Sequence, residues 1–248
     1  MKYTKEEILQ ILRANNDQKN QLGIEGWHTN ELKYNLTIRD WIDEFNLLDW
    51  DELVRYYDEM FGLNIGKKEW QKTMLPKKEK TLGDLCEFIS EHAKKPEIKP
   101  LKLFGRYCEE ASIFRYLTKR ITAKHPNIKT IKPSSFIEKY MDEIYWDLIA
   151  ETNLIAHGVL PPVKYKPGEF NDQGWRLLGI GLLIMFIAGV FDNWFIGGIG
   201  IGMYLSGAWT INKSVHSPSE QFEFEDIATF RGLVFKIKKY RNAAQQCT

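Results

Sequence analysis

Between Leu177 and Asn212 the chain carries a single charged residue, Asp192. A stretch this apolar has to be withdrawn from water, and that requirement restricts the fold more than any other feature of the sequence. Its first half, Leu177 to Phe191 (LLGIGLLIMFIAGVF), is uninterrupted; its second, Trp194 to Ile211 (WFIGGIGIGMYLSGAWTI), has Ser206 and Thr210 as polar side chains. Asp192-Asn193 between them is a turn pair. As helices the halves would span roughly 22 and 27 Å, slightly short of a ~30 Å hydrocarbon core.

The flanks can make up the missing length. Trp175, Arg176, Trp194 and Trp209 stand where membrane-interface anchors stand, and the arginine is long enough to reach outward. Lys164, Lys166 and Arg176 precede the segment and Lys213 follows it, while the turn carries no cation. The segment 175–212 therefore reads as a two-helix transmembrane hairpin, a multi-pass membrane protein with two spans and both termini cytoplasmic. Gly198, Gly202 and Ser206 form a small-residue stripe suited to membrane helix packing. The competing reading of runs this short is a buried helical hairpin, or a pair of buried strands, in a soluble core.

The rest of the chain is of a different kind. Over all 248 residues, 44% are hydrophobic, 27% are charged and the formal net charge is +1, but the charges crowd into the first 170 positions. A balance so near neutral gives no support for nucleic acid as a partner. Cys86, Cys108 and Cys247 are odd in number and lack ligand spacing, which suits a reducing compartment and not a disulfide scaffold. The N-terminus, MKYTKEEILQILRANN, has no apolar core of a signal peptide.

Helical periodicity runs through this polar region. A helix is expected over 4–14, capped by Thr4, followed by a polar connector over 15–36. Further helices are expected over 37–45, 49–61 (stopped by Gly62), 67–73 and 81–95, the last beginning Thr81-x-x-Asp84. PEIKP at 96–100 reads as a linker. Gly105 to Ala123 reads as an amphipathic helix, and Ser135-Phe-Ile-Glu138 as a capping box opening a helix through Ile155, terminated by Gly158 and Pro161-Pro162. After Pro218 the alternations Phe222-Glu-Phe224-Glu and Phe235-Lys-Ile237-Lys fit a small β-hairpin or an interfacial segment. Arg231, Lys236, Lys238, Lys239 and Arg241 form a basic cluster of the kind that contacts lipid headgroups, though a solvated surface gives the same pattern. The fold class is mainly α: a soluble helical bundle region, the transmembrane hairpin and a short basic tail. The divisions are 1–95, 96–170, 175–212 and 213–248.

Glu52 to Ile65 (ELVRYYDEMFGLNI) and Thr81 to Ile89 (TLGDLCEFI) are similar to two helices of the acyl carrier protein family, and residues 37–93 as a whole resemble that small helical bundle. The family attaches phosphopantetheine to a serine just before the first of these helices. Here Phe45 to Trp50 reads FNLLDW, with Leu47 roughly at the serine's place, and the first serine of the chain is Ser90. The resemblance therefore implies a carrier-like bundle for binding or packing, without phosphopantetheine or any other cofactor.

Candidate chemistry is sparse. His28, His92, His125, His157 and His216 are scattered and form no metal-binding spacing. Cys108 stands beside Glu109 and Glu110, a setting that disfavours a nucleophilic thiol. Glu143, Asp147 and Glu151 recur four apart, so they share a helix face and suit either a metal or acid–base work, as does any solvated helix face. The sequence thus favours a membrane-anchored, non-enzymatic interaction or scaffold protein that binds membrane lipid and a protein partner or itself. Trp41, Trp50 and Trp70 stand as its exposed aromatics, and the hairpin as its means of self-association or, as an effector, of disturbing the bilayer. The alternative is a membrane-associated enzyme acting on lipid or acyl substrates through His157, Glu143 and Asp147.

Overall fold

A computed structural model describes residues 1–21, 31–45, 47, 49–166, 169–190, 194–215 and 221–246. The chain is mainly helical, as its periodicity implies. It forms two compact units: Met1–Val163 with Phe224–Thr248, and Lys164–Glu223. The second is an excursion made from the middle of the first.

In the first unit, α1 (Lys5–Gln21) starts at Thr4, whose hydroxyl accepts from the Glu7 amide at 3.1 Å while the Glu7 carboxylate accepts from the Thr4 amide at 2.9 Å. It runs seven residues beyond the expected end because Gln18 continues its buried face and donates to the Leu160 and Pro161 carbonyls. Four helices follow: α2 (Ile38–Glu44), α3 (Trp50–Phe61), α4 (Lys67–Met74) and α5 (Leu82–His92). Their ends obey the capping signals of the sequence. Thr37 and Asp49 cap α2 and α3, Gly62 closes α3 at φ 63°, and Thr81 with Asp84 completes a reciprocal capping box on α5.

One apolar core joins these helices, centred on Ile8, Ile11, Ile38, Met60, Leu85 and Ile89. Trp41 and Trp70 belong to it at 3% and 2% exposure, so they are core residues and not an exposed partner surface. The core extends to Ala150 and Leu154 of α7 (Met141–Ile155), and the Tyr3 hydroxyl donates to the Leu154 carbonyl at 2.9 Å.

Where a helix was expected to begin at Gly105, the chain makes a two-stranded hairpin instead: β1 (Lys102–Leu103) and β2 (Arg106–Tyr107), with Phe104 and Gly105 both at positive φ. Helix α6 (Glu109–Lys124) starts only after it. Ser135 does not cap a helix either. Its hydroxyl accepts from the Lys132 amide at 3.0 Å, and α7 is entered through a 3-10 turn, Ile137–Tyr140.

The tail is not a free basic appendage. Helix α10 (Phe230–Gln246) buries Phe230, Leu233, Val234 and Ile237 and packs on α6. The Phe230 amide donates to the Ser135 carbonyl at 3.2 Å and the Ile137 amide to the Ala228 carbonyl at 3.0 Å, so the returning chain is stitched onto the 133–137 loop.

The excursion holds α8 (Glu169–Val190) and α9 (Trp194–Val215), with β3 (Val163–Lys166) and β4 (Gln221–Phe224) paired at its base. The expectation of a transmembrane hairpin, and with it a multi-pass location with cytoplasmic termini, is overturned here. Among the described residues no helix is long and apolar enough to cross a membrane. The physical reason lies in composition along each helix. The first two turns of α8 are polar (EFNDQGWR), leaving an apolar part of about 21 Å, and α9 is diluted by glycine, Ser206 and Thr210 over about 27 Å.

Candidate functional site

The α8–α9 hairpin is built on close approach of backbones. A Cβ on Gly181 would lie 2.6 Å from the Tyr204 nitrogen, one on Gly207 would lie 2.6 Å from the Leu178 nitrogen, and one on Gly200 would lie 2.9 Å from the Met185 nitrogen. Only glycine tolerates such distances. The pairs place Met185 against Gly200, Gly181 against Tyr204 and Leu178 against Gly207, whose Cβ would also lie 2.8 Å from the Gly174 oxygen: an antiparallel arrangement with Gly174 and Gly181, and Gly200 and Gly207, seven apart. The stripe singled out in the sequence lies elsewhere: a Cβ on Gly198 or Gly202 meets nothing within 4 Å, and Ser206 donates its hydroxyl to the Gly202 carbonyl at 2.8 Å. The seven-residue spacing was present in the sequence beside the four-residue spacing of Gly198, Gly202 and Ser206, and the letters alone do not say which set faces the other helix.

With so much contact made by glycines, the large side chains are left outside. Ile180, Leu182, Leu183, Phe186 and Ile187 of α8 and Ile199, Ile201, Leu205 and Trp209 of α9 are each 40% or more exposed. So many exposed aliphatic and aromatic side chains on two adjacent helices exceed the singly scattered apolar residues of an ordinary monomer surface. Trp175 and Arg176 are also exposed, on the polar first part of α8. The side chain of Trp194 lies outside the described residues, as do the side chains of Lys164, Lys166 and Lys213, the turn at Asp192-Asn193, and His28, His216 and Cys247.

The basic residues of the tail are largely engaged. Lys238 donates to Glu110 at 2.6 Å, Arg241 lies 3.7 Å from Glu109, and Lys236 lies 3.4 Å from Asp226. The Glu110 hydrogen bond raises the affinity of Lys238 for its proton. Arg231 and Lys239 are exposed. The cluster thus divides between the α6 carboxylates, which hold α10 in place, Asp226 just before α10, and open solvent.

The carboxylates of α7 do share one face, but cations meet them. Glu151 is fully buried; its Oε2 accepts from Arg120 Nε at 2.9 Å and from the Tyr116 hydroxyl at 3.2 Å, while Lys124 Nζ lies 3.5 Å from Oε1. Asp147 accepts from Lys124 at 2.6 Å and contacts His125 Nε2 at 2.7 Å. Burial works against the Asp147 charge, yet the hydrogen bonds from Lys124 and His125 outweigh it and hold the carboxyl below the usual range. Five of these groups form an ion network tying α6 to α7, a structural use of the pattern.

Glu143, exposed at the start of α7, stands apart from it. His157, beyond the far end of α7 and so about 20 Å away along the axis, packs edge-on against Tyr240 at 5.5 Å. Burial lowers its affinity for a proton. His157, Glu143 and Asp147 therefore do not converge on one site. His92 contacts the Phe88 carbonyl at 2.8 Å. Cys86 is buried, which pushes its thiol up to about 12, and the Cys108 thiol donates to Glu110 at 3.6 Å. Among the described residues no three His, Cys, Asp or Glu side chains gather as metal ligands.

No family model, curated protein or solved structure matches the chain.

Proposed function

We propose that this protein is a non-enzymatic interaction protein that associates with a second copy of itself through the α8–α9 hairpin. The observation that carries the reading is the exposed apolar surface of that hairpin. In water such a surface is covered by an equally apolar one, and the hairpin itself is the complementary face at hand. A two-fold arrangement lets the large side chains of one hairpin seat over the open Gly198, Gly202 and Ser206 surface of the other. The carrier-like resemblance of residues 37–93 agrees with a binding role, since Leu47 offers no hydroxyl for covalent chemistry.

Sedimentation velocity on the full chain between about 1 and 50 μM tests this. Dimers or larger species are expected over that range, and Leu183→Lys combined with Leu205→Lys is expected to leave monomer at every concentration. A wild-type chain that stays monomeric throughout would remove the proposal.

A further inference from the structure

The first unit contains a cavity of about 300 Å³ that the ion network and the hairpin do not account for. It opens between α1, α2, α3 and α7, and Leu12, Trp41, Leu53, Tyr57 and Ile149 form its apolar wall. Its volume is that of roughly ten water molecules, at the lower end of small-molecule sites. Water is a poor occupant, since a water needs two to four polar partners and most of this wall offers none. Left dry, the lining loses dispersion contacts across the gap.

We propose that this cavity binds a small, neutral, planar molecule of one or two aromatic rings carrying a hydrogen-bonding group. Planarity follows from the wall. Trp41 and Tyr57 stack nearly parallel, 15° apart with centroids at 6.2 Å, and Tyr56 meets Tyr57 edge-on at 5.4 Å. Aromatic guests are matched to such surfaces by offset stacking and edge contacts. Size follows from the volume, which suits a fused bicycle better than a long chain.

Neutrality follows from the side chains around the cavity. None of those lining it carries a charge at neutral pH. The charges close to it are paired within the protein: Asp147 and Glu151 with Lys124 and Arg120, and Arg13, which donates to the Leu32 carbonyl at 2.7 Å, with Glu31 at 3.2 Å. An ion of either sign entering here would meet apolar wall and no charged partner among the lining residues.

The hydrogen-bonding group follows from two lining residues. Asn15 is committed within the protein: its Oδ1 accepts from Asn153 Nδ2 at 2.7 Å, and its Nδ2 points at the Met60 sulfur at 3.7 Å. The Asn16 carboxamide and the Tyr56 hydroxyl have no hydrogen-bond partner among the described residues and remain available. Tyr56 is 38% exposed overall, and partial desolvation with the fields of Asp147 and Glu151 raises its hydroxyl's affinity for the proton, so it stays a donor across the physiological range. Trp146, 47% exposed, stands at the opening as the side chain a guest would cover.

Isothermal titration calorimetry on the full chain tests the assignment with 1-naphthol and 1-naphthoate, related bicycles without and with a charge. Saturable binding of 1-naphthol is expected, with 1-naphthoate at least tenfold weaker. Leu53→Trp fills the cavity and is expected to weaken 1-naphthol at least tenfold. Should that variant lose its helical circular dichroism, Ile149→Phe takes its place. Leu183→Lys with Leu205→Lys, which alters only the hairpin, is expected to leave the affinity unchanged, so this test and that of self-association fail independently. Absence of 1-naphthol binding would overturn the proposal, as would equal affinity for the two probes or retained affinity in the folded cavity-filled variant.

Discussion

Phe104 is fully exposed and holds φ at 49°, a region in which a bulky side chain crowds its own carbonyl. The β1–β2 turn requires it, because both central residues have positive φ. Phe104→Asn is expected to raise stability by about 1 kcal/mol, read as a higher urea midpoint at unchanged slope. The turn was not legible in the sequence: Leu-Phe-Gly-Arg lacks the Asn-Gly signature, and the helical period of 109–121 extends backward across it. Asp147 illustrates the opposite case, a residue whose helix face was legible but whose role was not. Cations on α6 decide that role, and a single helix carries no record of what faces it. Because its folded carboxyl is held low, the stabilisation is present above the ordinary carboxylate range near pH 4 and is lost as pH falls through the folded value. Asp147→Asn is expected to cost about 1 to 2 kcal/mol at pH 7 and to flatten the decline in stability below pH 4, measured by denaturant unfolding from pH 7 to 3.

Elements with strong local signals were read from the sequence nearly to the residue. Thr37, Asp49, Gly62 and Thr81 act through their own neighbours, so α2, α3 and α5 begin or end where those residues stand. Ser135-x-x-Glu138 has the same lettering and fails as a cap, since tertiary hydrogen bonds from the returning chain hold that loop in another conformation. The α8–α9 pair separates local from tertiary effects in one experiment. Gly181→Ala forces a Cβ into the Tyr204 backbone and is expected to cost the hairpin about 1 to 3 kcal/mol. Gly198→Ala meets nothing and is expected to gain up to about 1 kcal/mol in helix propensity. Hydrogen exchange resolved to 169–215 would show faster exchange in the first variant and slower in the second.

At the level of the whole molecule, mean composition hid the division that matters. An apolar run with polar flanks is compatible with a bilayer, a buried core or a partner, and what separates these is where the helices start and which side chains glycine contacts displace outward. Association through such a surface is expected to persist when sodium chloride is raised from about 0.05 to 0.5 M, because the exposed side chains named on it are apolar and carry no charge to screen. Sedimentation at both salt concentrations checks this.

The first unit leaves off at Val163 and resumes at Phe224, so a ribosome making this protein begins α10 about 75 residues after α7 ends at Ile155. At about 5 to 20 residues per second, several seconds pass in which α6 has no α10 against it and the apolar hairpin is already being extruded. The nascent chain is thus at its most adhesive before its larger unit is complete.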